Sequence, residues 1–145
     1  MFILVKFFFL ICLFLSKDKL FKNVIFFHLE TSLPAKQNDI ARLVSLPVPA
    51  SNVYCLSFWY HMRGQHIDTL NVYTQLTSDS NNETIVWSKK GNQGNLWMNG
   101  RISLTSDDEY KIVFEGIRGV SYEGDIALVS FIKRKENFIF NKANL

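Results

Sequence analysis

From Val53 onward, apolar and polar residues alternate in short runs divided by turn-forming residues. In Val53–Met62 the odd positions are Val, Cys, Ser, Trp and His, and the even ones Tyr, Leu, Phe, Tyr and Met. Both faces are largely apolar, as in a strand at the middle of a sheet. Arg63 and Gly64 close that run, and Thr69–Leu76 follows, with Leu70, Val72 and Leu76 alternating against Asn71, Tyr73 and Gln75. Thr84–Ser88 is a further run, set between a polar cluster (Ser78–Glu83) and a glycine loop (Lys89–Asn95). Gly100–Ser106 directs Ile102 and Leu104 inward, and Glu109–Gly119 does the same with Tyr110, Ile112 and Phe114, against Lys111, Val113 and Glu115. Tyr122–Phe131 is the last run, and Ala41–Leu46 a short first one, ended by Pro47 and Pro49, which donate no ladder hydrogen bonds.

Short strands at regular spacing, with no stretch of helical period, predict an all-β fold: an antiparallel β-sandwich of jelly-roll type. No repeat of solenoid length is present, so the strands close one core. Phe58, Trp59, Leu70, Val72, Ile102, Leu104, Ile112, Phe114, Ile126 and Leu128 are expected to fill it.

The chain has 145 residues, 48% hydrophobic and 20% charged, which suits one globular domain. Its net charge of +3 comes from the ends. Thr31–Leu128 holds eight Lys and Arg against ten Asp and Glu, without a basic stripe, so nucleic-acid binding is not expected. Residues 1–29 read as an apolar leader, residues 31–128 as the domain and residues 129–145 as a basic tail outside it. The uninterrupted apolar stretch Phe7–Leu15 is short for a bilayer-spanning helix and fits a signal-peptide core, although bulky Phe14 makes a poor cleavage site. A second origin for both ends is translated intron. Val129-Ser130 is encodable by a splice-donor sequence, and Phe-rich sequence before Glu30 suits a pyrimidine tract.

No constellation points to catalysis. Cys55 and His61 suggest a thiol and its base, but on one strand they lie about 20 Å apart. That spacing also prevents joint metal ligation, and no CxxC or HxxxH pattern occurs. Gly91–Asn95 lacks the Lys-Ser/Thr ending of a phosphate loop and reads as a turn. Gly116, Gly119 and Gly124 read as turn and bulge positions, and Asp107–Glu109 as a solvated turn. Asn82-Glu83-Thr84 is a glycosylation sequon in a polar turn.

Taken in order, "CLSFWYHMRG", "TLNVY", "IVWSKKGNQGNLW" and "YKIVFEGIRGVSYEGDIAL" resemble the MAM domain, an extracellular module of meprin-type proteases, receptor protein-tyrosine phosphatases and neuropilins. The likeness runs from about Ala41 to Leu128. It implies a jelly-roll sandwich and a non-enzymatic adhesion role at the cell surface or in a secreted protein. Contacts would be with proteins, often homophilic, and the module would be one part of a larger chain, such as a protease or phosphatase. Cys55 matches the family cysteine that bridges to one near the domain's C-terminal end. The tail here has no cysteine, and Cys12 lies in the leader. The family's opening segment, with its cysteine pair and acidic residues, has no counterpart before Glu30. Cys55 is therefore expected to be a free thiol, packed beside Trp59, with no disulfide, metal or cofactor.

Partner contacts are expected from Arg63, Gln65 and His66 in one turn and from Arg118 and Tyr122 in the glycine-rich one, since Arg and Tyr are frequent interface anchors. The alternative is a carbohydrate-binding jelly roll, in which Trp59, Trp87 and Trp97 stack on sugars. Two of these exposed on one concave surface would favour it, and burial of all three would not.

Overall fold

The computed structural model describes residues 25–29, 36–121 and 123–134, with side chains from 36–121 and 123–129. Among the described residues there are eight strands: β1 (Ile25–Leu29), β2 (Ile40–Val44), β3 (Tyr54–Arg63), β4 (Ile67–Leu76), β5 (Glu83–Lys90), β6 (Met98–Leu104), β7 (Tyr110–Arg118) and β8 (Asp125–Arg134). They form two four-stranded sheets, ordered β1-β8-β3-β6 and β2-β7-β4-β5, and every pairing is antiparallel. Apart from the β4–β5 hairpin, successive strands exchange sheets as in a jelly roll, so the all-β sandwich expected from the alternation is the fold.

The sandwich reaches beyond the span of 31–128 on both sides. β1 pairs Ile25 with Ser130 through Leu29 with Ile126, and β8 runs on to Arg134 beside Tyr54. The leader's last residues and the tail's first ones therefore belong to the first sheet. Ile25–Leu29 carries no alternation of apolar and polar residues that would mark a strand.

In β3 the even positions Tyr54, Leu56, Phe58, Tyr60 and Met62 are all buried. Leu70, Val72, Leu104, Tyr110, Ile112, Phe114, Ile126 and Leu128 meet them from both sheets, and Ile102 packs against this core while partly exposed. Phe58 sits at its aromatic centre, with ring centroids 5.0 Å from Trp87 and 5.2 Å from Phe114, both edge-on. Trp59 is a correction. Being odd-numbered on β3 it points outward and is 45% exposed. Cys55, a half-buried free thiol, shares that outer face. Ser57 separates it from Trp59, and four strand residues span about 13 Å, so the two do not pack side by side.

β7 departs from the expected alternation. Val113 and Glu115 point away from the core and yet are buried, because β7 is interior to its sheet. Val113 lies in register between Val44 and Tyr73, and Glu115 between Arg42 and Asn71, whose side chains shield them. Gly116 also differs: it lies inside β7, opposite Ala41 and Leu70.

At one end of the sandwich the β3–β4 turn packs on the β7–β8 loop, where His66 N–H donates to Glu123 O at 3.0 Å. A Cβ on Gly119 would lie 1.8 Å from His66 O, and one on Gly64 would lie 2.3 Å from Gly124 Cα. Backbone meets backbone here, so no side chain can yield. Gly119→Ala should destabilise the chain by about 1–3 kcal/mol, read as a lower urea midpoint.

Candidate functional site

Two exposed sheet faces carry the side chains available to a partner. On the β2-β7-β4-β5 sheet the outer face holds a connected polar row. Arg42, on β2, donates from Nε to Glu115 Oε2 at 2.7 Å, and its Nη1 reaches Glu83 Oε1 at 2.9 Å. Tyr73 OH donates to Glu115 Oε1 at 2.8 Å, and Asn71 Nδ2 to the same oxygen at 3.2 Å. Ser88 Oγ in turn donates to Asn71 Oδ1 at 2.7 Å, and Gln75 Nε2 to Glu83 Oε1 at 2.7 Å. The guanidinium also lies 5.5 Å from the Tyr73 ring centroid, within cation–π range.

Burial by itself would raise the Glu115 carboxyl's pKa. The hydrogen bonds from Tyr73, Arg42 and Asn71, with the charge of Arg42, outweigh it and hold that carboxyl below its ordinary value. Ile40, Val44 and Ile85 are exposed around this row. The sequence carried one sign of it: a carboxylate inside the apolar run IVFEGI needs a donor set when the strand is interior.

The β1-β8-β3-β6 sheet presents Cys55, Ser57, Trp59, His61 and Arg63 from β3, with Asn99, Arg101 and Ser103 beside them on β6. The glycine loop folds back on the end of β3, Gln93 N–H donating to Met62 O at 2.8 Å. This sets Trp97 5.6 Å from the His61 ring and lets Arg63 Nη1 donate to Asn95 Oδ1 at 3.2 Å. Trp59 and Trp97 are thus both exposed on one face, Trp97 by 42%. Trp87 is different: it lies edge-on to Phe58 and Tyr60 and packs against the core.

The five loop candidates separate. Arg63 and Gln65 are exposed, and His66 is half-buried with Nδ1 3.6 Å from Glu123 Oε2, beyond hydrogen-bond length. Arg118 is only 6% exposed, on the last position of β7 opposite Ile67, and is not a surface anchor. Tyr122 lies outside the described residues. Asn82 and Thr84 of the sequon are both exposed where the β4–β5 turn enters β5. Among the described residues no helix is long and apolar enough to cross a membrane, and no group of three or more His, Cys, Asp or Glu residues is placed to hold a metal.

The model of the MAM domain (meprin/A5/mu) matches residues 16–134. The chain is 42% identical over 104 residues to MAM domain-containing glycosylphosphatidylinositol anchor protein 1 of Gallus gallus, covering 69% of this chain and 11% of that protein. It is 39% identical over 117 residues to anchor protein 2 of Mus musculus, covering 74% and 12%. The chain therefore spans about a tenth of the length of these relatives. In structure it is similar to the cleaved adhesin domain of Lys-gingipain from Porphyromonas gingivalis, with a TM-score of 0.54, 16% identity, and coverage of 75% of this chain and 71% of that one. That likeness concerns the fold. The ordered match across both sheets leaves one assignment: the chain belongs to the MAM domain family.

Proposed function

We propose that this chain is a non-catalytic, extracellular adhesion module that pairs with a second copy of itself through the outer face of the β2-β7-β4-β5 sheet. The observation that carries the reading is the hydrogen-bonded row Arg42–Glu115–Asn71–Ser88 set among exposed Ile40, Val44 and Ile85. Buried and part-buried hydrogen bonds hold these side chains before any contact, which lowers the entropy lost on binding. The face offers both charge signs, in Arg42 and Glu83, with apolar residues on either side, as a self-complementary contact requires. The names of the relatives, membrane-anchored MAM proteins, support a place at the cell surface. In that compartment the exposed Asn82 takes an N-linked glycan at the tip of the β4–β5 turn.

Beads coated with the chain test the pairing. They should cluster, and the double substitution Val44→Asp with Ile85→Asp should disperse them while leaving the far-ultraviolet circular dichroism unchanged. Equal clustering by the double variant would remove this face from the contact.

A further inference from the structure

The opposite sheet carries a surface of different chemistry. Trp59 and Trp97 expose indole rings on one face, with the His61 imidazole against Trp97. Amides and guanidiniums border them: Asn95 accepts from Arg63, and Asn99 Oδ1 accepts from Arg101 Nε at 2.9 Å. A second bond, Asn99 Nδ2 to Phe58 O at 3.0 Å, fixes Asn99 to the β3 backbone. Arg101 is thus oriented by a neutral amide, which leaves its positive charge uncompensated by that contact.

Strand register extends the charge pattern. Ser57 lies opposite Arg101, and Arg63 opposite Asp125, so among the described side chains of these strands this face holds two basic positions, Arg63 and Arg101, against one acidic. The acidic position is confined to the Arg63 end. From Ser57, opposite Arg101, to Arg63 the strand runs about 20 Å, with Trp59 and His61 between.

Indole faces stack on the C–H faces of pyranose rings, and side-chain amides bond their hydroxyls. Guanidinium groups bond carboxylate and sulfate in a fork geometry. From this combination we infer that the outer face of the β1-β8-β3-β6 sheet binds an acidic oligosaccharide, one bearing carboxylate or sulfate groups, laid along β3 with Trp59 beneath a sugar ring and Arg101 at an acidic group. This site is independent of the proposed self-pairing, which uses the other sheet.

Titration of the full chain with three probes tests it: a heparin-derived hexasaccharide, a sialyllactose and neutral maltohexaose, followed by tryptophan fluorescence and calorimetry. At least one acidic probe should bind ten-fold or more tighter than maltohexaose, with affinity falling as salt is added. Preference for the hexasaccharide identifies sulfate as the acidic group, and preference for sialyllactose identifies carboxylate. Trp59→Ala and Arg101→Gln should each weaken binding about ten-fold, while Lys36→Gln, at an exposed basic residue ahead of β2, should leave it unchanged. Both substituted side chains are exposed, so the circular dichroism spectrum should be retained. Absence of binding to both acidic probes would overturn the inference. So would equal binding of maltohexaose, undiminished binding by both variants, or equally tight binding of a single-stranded oligonucleotide.

Discussion

Phe58→Ala should lower the unfolding free energy by about 3–5 kcal/mol, among the largest effects of any single truncation in the chain. Phe58 is fully buried at the point where both sheets meet, touching Tyr60, Trp87 and Phe114 through their rings. Beneath it is Gly100, whose added Cβ would come within 2.3 Å of the Phe58 ring. The ring fills the space a side chain at Gly100 would occupy, so truncation opens a void that glycine cannot close. Trp59→Ala is the matched control, one residue along the same strand but outward. Its effect on the urea midpoint should be small by comparison. Similar losses from the two substitutions would mean that the strand phase is wrong.

Arg42→Leu should cost about 2 kcal/mol at pH 7, because it leaves the buried Glu115 carboxylate without its cation, although Arg42 itself is 40% exposed and partly screened by solvent. Tyr73 and Asn71 still donate to Glu115, which further keeps the loss below that of a fully buried pair. The effect depends on pH in a definite direction. In the wild type the Glu115 pKa is held below its ordinary value. Its contribution is therefore present above the unfolded-state carboxylate pKa, near 4.3, and is lost as pH falls through the lowered native value. Without Arg42, burial is opposed only by two neutral donors and the native pKa rises. Protonation then relieves the variant first, so the difference between wild type and Arg42→Leu should narrow from pH 7 to pH 4. Urea midpoints at the two values measure it. A constant difference would mean that Glu115 is not the group left exposed to the penalty. Adding Glu115→Gln to the variant should restore part of the loss at pH 7.

The sequence made the inner faces legible and the outer ones much less so. Alternation placed Phe58, Leu70, Ile112 and Ile126 correctly because burial between two sheets follows the period of two directly. The same period directs Trp59 outward once Phe58 is inward, but hydrophobicity alone favours burying an indole. Val113 and Glu115 are hidden by neighbours from other strands, Val44, Tyr73 and Arg42, and such shielding depends on register across the sheet. Their burial could not be read from β7 by itself. β1 escaped notice because Ile25–Leu29 is a short Phe-rich run without alternation, and its pairing partner is about a hundred residues away. The Trp59–Trp97 face was legible as residue types only, since the return of the glycine loop onto β3 brings Trp97 to His61.

Sedimentation velocity across a range of protein concentrations tests the central claim, that copies of this module pair through the β2-β7-β4-β5 face, most directly. The wild-type chain should shift reversibly from monomer to dimer with concentration, and the Val44→Asp, Ile85→Asp double variant should remain monomeric throughout. A wild-type chain that stays monomeric at every concentration, or a double variant that dimerises as readily, would contradict the account.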